Sequence, residues 1–152
     1  LTGAIFGMTL QTKPEEIYRA LIEATAFGTR IITDMFANAD VEVNEIYACG
    51  GIAKKNPFMM QVYADILKKP IYIVESEQAG ALGSAMFAAV GGGYFKSLDD
   101  AAKVMVKKPS SVFTPNPENA ETYDYLFGEY KKLHDYFGKG ENDILKNLKN
   151  LK

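Results

Sequence analysis

The chain has 152 residues, of which 47% are hydrophobic and 24% are charged, a composition typical of one soluble globular domain. Its formal net charge is -2 and no basic tract is present, which argues against nucleic acid or an anionic membrane as the main partner. No apolar run approaches the roughly 18–20 residues that a membrane span needs, and no signal peptide is recognisable. The single cysteine, Cys49, cannot form an internal disulfide, so a reducing cytoplasm is the expected compartment.

The first part of the sequence predicts one long amphipathic helix. The chain opens with LTGAIFG, without an initiator methionine, so we expect it to be part of a longer protein, and residues 2–8 are predicted to form a short strand. Thr12 and Glu15 fit a capping box around Pro14, which suits the first turn of a helix. Apolar residues then recur every three or four positions, which predicts a helix to about Ala37.

The next part predicts a strand, a helix and a second strand. NEIYACGG predicts a buried strand over residues 45–49 that ends at Gly50 and Gly51. Asn56 is the predicted N-cap of the helix, which stops at Pro70 before the strand IYIV. Such a βαβ unit places its two strands parallel, joined by a right-handed crossover.

The remaining sequence is mostly helical. SEQAGALGSAMFAAVGGG predicts a helix of small residues, Ser97 caps a shorter helix, and KKPSSVFTPNPEN predicts a proline-rich connection. An aromatic helix with its apolar side in the core is predicted around residues 123–137, followed by a short last helix. Two or three parallel strands against five or six helices make a short sheet, so we expect the sheet to continue in a larger α/β protein.

The glycine pair after the first strand is the strongest candidate for a binding site. Neither a G-x-G-x-x-G nor a G-x-x-x-x-G-K-[ST] loop is present, and His134 and Cys49 lie in no cluster with metal-ligand spacing. Ligands bind beyond the carboxyl ends of parallel strands, where Gly50 and Gly51 would expose bare main chain and the following helix would offer free N–H groups. This arrangement favours a nucleotide or a phosphate ester. An equally open alternative is a tight turn that only needs a positive φ.

Several blocks of the sequence, in the right order, resemble the FGGY family of carbohydrate kinases. GMTLQTKPEEIYRALIEATAFGTR resembles the signature in the later half of that family. CGGIAKKNPFMMQVYADILKKPIYIVESEQAGALGSAMFAAVGGGYF is similar to its adenosine-binding segment and the helix after it. The resemblance implies an actin-like ATPase (ribonuclease H-like) fold, α/β and helix-rich with a short parallel sheet, in which residues 1–152 form the C-terminal nucleotide-binding lobe. It also implies phosphoryl transfer from ATP, with Mg²⁺, to the terminal hydroxyl of a ribulose-type ketopentose.

The resemblance places four residues of this chain at the adenosine. Gly50 and Gly51 match the family's adenosine loop, and Ile52 would flank the base through its main chain. Asn56 would cap its helix and line the pocket as well, or serve as a cap alone. We assign no catalytic residue and no metal ligand, because the family's catalytic aspartate lies upstream of the matching segment.

Structural roles are expected for the other chemically suggestive residues. Asp65 is predicted to be solvated or ion-paired, and Glu23 to pair with Arg19, four positions earlier. Cys49 is predicted to be a buried strand residue, and His134 a helix-packing or surface residue.

Three functions remain open on the sequence. The favoured one is the ATP-binding lobe of a ribulose kinase, inactive without its opposing lobe. The second is another FGGY kinase, for xylulose or gluconate, and the third is a non-catalytic actin-like binding module. In each case the isolated chain would expose an unpaired strand edge, which predicts self-association or a homo-oligomer.

Overall fold

The computed structural model describes residues 3–76 and 78–151, and it is helix-rich over both ranges. The helices are α1 (Pro14–Asn38), α2 (Gly51–Lys55), α3 (Pro57–Leu67), α4 (Ala79–Gly91), α5 (Leu98–Met105), α6 (Ala120–Gly138) and α7 (Ile144–Lys149), with a 3₁₀ turn at Pro117–Asn119. The strands are β1 (Ile46–Ala48), β2 (Ile71–Ile73) and β3 (Ser111–Phe113). In this part of the chain no helix combines the length and the apolar character that crossing a bilayer requires.

The long first helix is confirmed, but its N-cap lies one residue later than predicted. Lys13 is the N-cap, and its backbone N–H donates to Glu16 Oε2 at 2.8 Å, whereas the predicted pair was Thr12 and Glu15. Thr12 Oγ1 instead accepts from the backbone N–H of Thr9 at 2.8 Å, which closes the turn before the helix. Pro14 occupies the first helical position, where its missing N–H costs nothing.

The predicted strand near the start of the chain is wrong over its described residues. Residues 3–8 have no regular secondary structure, and position 2 lies outside the described residues. Phe6 stacks on Phe137 of α6, with ring centroids 5.6 Å apart. Phe6 therefore packs against a helix rather than belonging to a strand.

The sheet has three strands in the order β1-β2-β3, and it is mixed rather than wholly parallel. β1 and β2 are parallel with Ile46 opposite Ile71, as the βαβ prediction required. β3 is antiparallel to β2, with Phe113 opposite Ile71. The sequence analysis treated these residues as a proline-rich connection, because a strand of three residues is too short to show a period of two.

Helix α3 lies between two groups of buried side chains. The first group joins α3 to α1 and α6 and contains Ile22, Ala26, Phe27, Val62, Ile66, Tyr123 and Phe127. The second joins α3 to α2 and the sheet and contains Ala53, Met60, Ala64, Leu67, Ile71 and Ile73. The predicted apolar side of α6 is confirmed at Tyr123 and Phe127, which enter the core, and at Tyr130, which packs against it. The prediction is wrong for Leu126 and Leu133, which are exposed.

Strand β1 is less buried than predicted. The side chain of Tyr47 is 56% exposed and stacks on Tyr72 of the neighbouring strand. Cys49, predicted to be buried, is exposed just after the strand ends. The reason is that β1 forms the edge of the sheet among the described residues and has α3 on one face only.

Asp65 contradicts the prediction of a solvated or ion-paired position, because it is only 4% exposed and its described partners are neutral. Its Oδ1 accepts from Gln61 Nε2 at 2.7 Å and from the backbone N–H of Asn116 at 2.8 Å. Its Oδ2 accepts from Asn119 Nδ2 at 2.7 Å. Asp65 therefore anchors the segment between β3 and α6 on α3.

Candidate functional site

The turn after β1 is open and free of side chains at its two glycines. Gly50 has φ +93° and ψ 173°, a conformation that residues with a Cβ rarely adopt. No described heavy atom outside the turn lies within 4 Å of the point where a Cβ would stand at Gly50 or Gly51. The main chain of both residues is therefore accessible to a ligand.

A short helix follows the glycines, whereas from the sequence we expect a short loop between Gly51 and the helix that Asn56 caps. Gly51 is the first residue of α2, whose Ala53 is buried in the second core group. Ile52 points outward and is 66% exposed. The helix thus holds the glycine turn on the core through Ala53 and leaves Ile52 beside the open main chain.

Asn56 lies at the opposite end of α2 from the glycines. Its Oδ1 accepts from the backbone N–H of Met59 at 3.0 Å, which confirms the predicted N-cap of α3. The structure thus brings Gly50, Gly51 and Ile52 together at one opening, whereas the Asn56 side-chain oxygen is engaged in the cap.

The connection that follows β2 lies beside this turn. The backbone N–H of Val74 donates to the carbonyl oxygen of Ala48 at 2.9 Å, one residue beyond the paired strands. Lys54 Nζ donates to the carbonyl oxygen of Glu75 at 2.6 Å. The carboxyl ends of two parallel strands therefore meet here, the position at which open α/β sheets bind ligands.

A cavity of about 220 Å³ continues this edge beyond β2. It is lined by the residues after β2, by the first turn of α4 and by the end of α5: Val74, Glu75, Ser76, Leu82, Met105, Val106 and Lys107. Helix α4 beside it has no buried residue, and Phe87 is 66% exposed. Two open features, the glycine turn and this cavity, thus share the connection that contains Glu75.

Sequence reasoning did not identify Lys54 as part of the site. It is one of two adjacent lysines, and neighbouring residues on a helix point about 100° apart, so only one of them can face the β2 connection. The boundaries of α2 decide which one does, and the five-residue helix was not predicted.

The pair Glu23 and Arg19 forms the predicted ion pair, with Arg19 Nε 2.8 Å from Glu23 Oε1. The hydroxyl of buried Tyr123 donates to Glu23 at 3.2 Å and accepts from Arg19 Nη2 at 3.1 Å. Burial is the main cause that raises the pKa of Tyr123, and the hydrogen bond to Glu23 is the main cause that raises the pKa of Arg19. This cluster ties α6 to α1, a structural role.

The described residues contain no metal-binding cluster that would form a second site, and His134 has a surface position. Within 3–76 and 78–151, no three side chains among histidine, cysteine, aspartate and glutamate are grouped so as to hold a metal ion. His134 lies on the surface of α6 as predicted, with Nδ1 3.0 Å from Asp135 Oδ1.

Comparison with known proteins decides the family. Residues 1–92, more than half of the chain, match the FGGY family of carbohydrate kinases, C-terminal domain. The chain belongs to the FGGY family of carbohydrate kinases. The resemblance to this family, seen in the sequence blocks that contain the first helix and the segment from Cys49 to Phe95, is therefore confirmed.

The curated relatives of this FGGY chain cover all of it. A ribulokinase of Anoxybacillus flavithermus is 54% identical over 156 aligned residues, and a ribulokinase of Staphylococcus aureus (strain Newman) is 45% identical over 152. The FGGY chain spans 28% of the length of each of these relatives.

Solved structures of FGGY kinases share the fold. The xylulose kinase of Rhodospirillum rubrum matches 88% of this chain with a TM-score of 0.77 and 27% identity, over 27% of its own length. The gluconate kinase of Lactobacillus acidophilus matches 89% with a TM-score of 0.78 and 27% identity, also over 27% of its length. The FGGY chain therefore has the helix-rich α/β fold of the actin-like C-terminal lobe, with the mixed sheet described above.

Proposed function

We propose that this chain is the ATP-binding part of a ribulokinase, a kinase that uses MgATP to convert L-ribulose into L-ribulose 5-phosphate in arabinose catabolism. Ribulokinases that are 45–54% identical over the whole chain support the choice of sugar. The proposal concerns the longer protein, because the chain spans 28% of those relatives. We propose that the enzyme is cytoplasmic and that residues 1–152 form one of its lobes. We expect this chain alone to be inactive.

The observation that carries the proposal is the open main chain at Gly50 and Gly51, beyond the carboxyl ends of two parallel strands. A flat purine or its ribose needs close approach to a backbone, and glycine permits that approach. Exposed Ile52 beside the turn offers an apolar contact to the base. Asn56 is proposed to act chiefly through its cap, which fixes α2 and α3 relative to each other.

Mg²⁺ would neutralise phosphate charge during transfer. The described residues offer no group of three metal-ligating side chains, so we assign no metal-binding role to this chain. Its proposed contribution is to bind and orient adenosine, which sets the position of the phosphates relative to the sugar.

The proposal is tested by substituting Gly50→Ala in the full-length enzyme. An L-residue at this φ costs roughly 1–3 kcal/mol of strain, and its methyl group would stand where the nucleotide is expected. We expect the KM for ATP to rise about tenfold while the KM for L-ribulose stays within about twofold, since 1.4 kcal/mol corresponds to a factor of ten. Gly128→Ala is the matched control, because Gly128 is helical and also has open space at its Cβ position. An unchanged KM for ATP in Gly50→Ala would contradict the proposal.

A second candidate is another FGGY sugar kinase, since the solved xylulose and gluconate kinases match this chain with TM-scores of 0.77 and 0.78. The full-length enzyme should therefore be assayed with L-ribulose, D-ribulose, xylulose, gluconate and ribitol. The highest kcat/KM with L-ribulose supports the first candidate, and the highest value with xylulose or gluconate supports the second. Absence of transfer to every sugar would favour a non-catalytic actin-like module.

A further inference from the structure

Lys54 connects the two chain segments that leave the sheet at the candidate site. Its Nζ donates to the carbonyl oxygen of Glu75, 21 positions later, at 2.6 Å. A hydrogen bond from an ammonium group to a carbonyl is charge-assisted and stronger than a neutral one. The contact therefore joins α2, which follows β1, to the connection that follows β2.

The contact from Lys54 to Glu75 matters because α2 is short. A helix of five residues is not stable on its own. Its buried anchor is the small side chain of Ala53, which faces the second core group. Rotation of α2 about this anchor would move Gly51 and Ile52 away from the strands, and the bond from Lys54 opposes that rotation.

The acceptor of this hydrogen bond, Glu75, also lies at the site. Glu75 follows Val74, the last residue held to β1 by a backbone hydrogen bond, and it lines the cavity beside α4. Beyond Val74 the connection leaves the sheet, so its distance from the glycine turn is no longer fixed by strand pairing. The bond from Lys54 to the Glu75 carbonyl joins this part of the connection to α2.

We propose that Lys54 is a positioning residue for the nucleotide: it sets the width of the opening between the glycine turn and the β2 connection, into which adenosine enters. This inference rests on the proposed binding of ATP at Gly50 and Gly51. Lys54 acts through Glu75, not through contact with the phosphates. Loss of the bond from Lys54 to Glu75 should therefore weaken every ligand that contains adenosine by a similar factor.

The test uses three variants of the full-length enzyme. Lys54→Met keeps the aliphatic stem and removes the donor, and Lys54→Arg keeps a charged donor. Lys55→Met is the matched control, since Lys55 is exposed on the same helix and no hydrogen bond of its side chain is found among the described residues.

We expect Lys54→Met to raise the KM for ATP about fivefold to tenfold and the inhibition constant of adenosine by the same factor. The kcat and the KM for L-ribulose should stay within about twofold. Lys54→Arg should recover most of the loss, and Lys55→Met should equal the wild type.

Three results would overturn the inference. An unchanged KM for ATP in Lys54→Met removes the role altogether. Weaker ATP binding with unchanged adenosine inhibition means that Lys54 contacts the phosphates directly. A parallel loss in both KM values and in thermal stability, without rescue by arginine, means a general structural role. Gly50→Ala, measured alongside, distinguishes failure of this inference from failure of the proposed function. If Gly50→Ala raises the KM for ATP and Lys54→Met does not, only the role of Lys54 is wrong. If neither variant raises it, the proposed binding of ATP at the glycine turn is wrong.

Discussion

The hydrogen bonds of Asp65 give the sharpest test of how the fold is held together. Replacing Asp65→Ala removes a carboxylate that is 4% exposed and accepts three hydrogen bonds of 2.7–2.8 Å. Two of the donors, the backbone N–H of Asn116 and the amide of Asn119, belong to the segment between β3 and α6. The substitution should therefore release this segment from α3.

The expected magnitude follows from the number of bonds. A hydrogen bond contributes about 1 kcal/mol net, and donors left unpaired inside the protein cost more. The bond from Gln61 lies within α3, so the two bonds to the segment give about 2 kcal/mol, which corresponds to roughly a thirtyfold change in its local opening equilibrium. Asp65→Asn keeps the shape and one acceptor oxygen, so we expect a smaller change, about tenfold.

Hydrogen exchange of the full-length enzyme, followed by mass spectrometry, measures the opening of this segment, because local opening controls the exchange of protected amides. Peptides that cover residues 114–124 should exchange roughly thirtyfold faster in Asp65→Ala. Asp99→Asn, at an exposed position of α5, should leave those peptides unchanged. Unaltered protection of residues 114–124 in Asp65→Ala would refute the reasoning.

Three further predictions concern α6 and the edge of the sheet. Tyr123→Phe removes the buried hydroxyl that bonds to Glu23, so the free energy of unfolding should fall by about 1 kcal/mol, seen as a lower urea midpoint; an equal midpoint would show the bond to be neutral. Hydrogen bonds from Lys68 and then Arg30 hold the pKa of Asp124 below its usual range, so this carboxylate stabilises the fold above its unfolded pKa, and that stability is lost as the pH falls through its folded pKa. The stability difference from Asp124→Asn should be at most about 1 kcal/mol, since the carboxylate is 45% exposed, and should disappear as the pH falls below the unfolded pKa and through the lower folded pKa; a pH-independent difference would contradict this. The isolated chain should form dimers or larger species by light scattering through its exposed β1 edge, and a clean monomer would argue otherwise.

Features that depend on neighbouring residues were predictable from the sequence. The Asn56 cap with Pro57 after it, and the Ser97 cap, whose Oγ accepts from the backbone N–H of Asp100, involve residues no more than three positions apart. Gly50 adopts the positive φ that its place after a strand suggested. Such features depend on residues close together in the chain and are therefore visible in the sequence.

Features that depend on distant residues were not predictable in the same way. Asp65 looked like a surface residue because its partners Asn116 and Asn119 lie 51 and 54 positions later. β3 forms by pairing with β2, and its three residues are too few to show the alternation of apolar and polar residues that predicts a strand. Lys54 donates to the main-chain oxygen of a residue 21 positions later. Because every residue has such an oxygen, the side chain at position 75 gives no indication of this hydrogen bond.

The central claim is tested most directly by a structure of the full-length enzyme with a bound ATP analogue. We expect the purine or ribose to lie in van der Waals contact with the main chain of Gly50 and Gly51, with Ile52 beside the base. A purine bound elsewhere, with side chains from the rest of the enzyme filling the space over that turn, would contradict it.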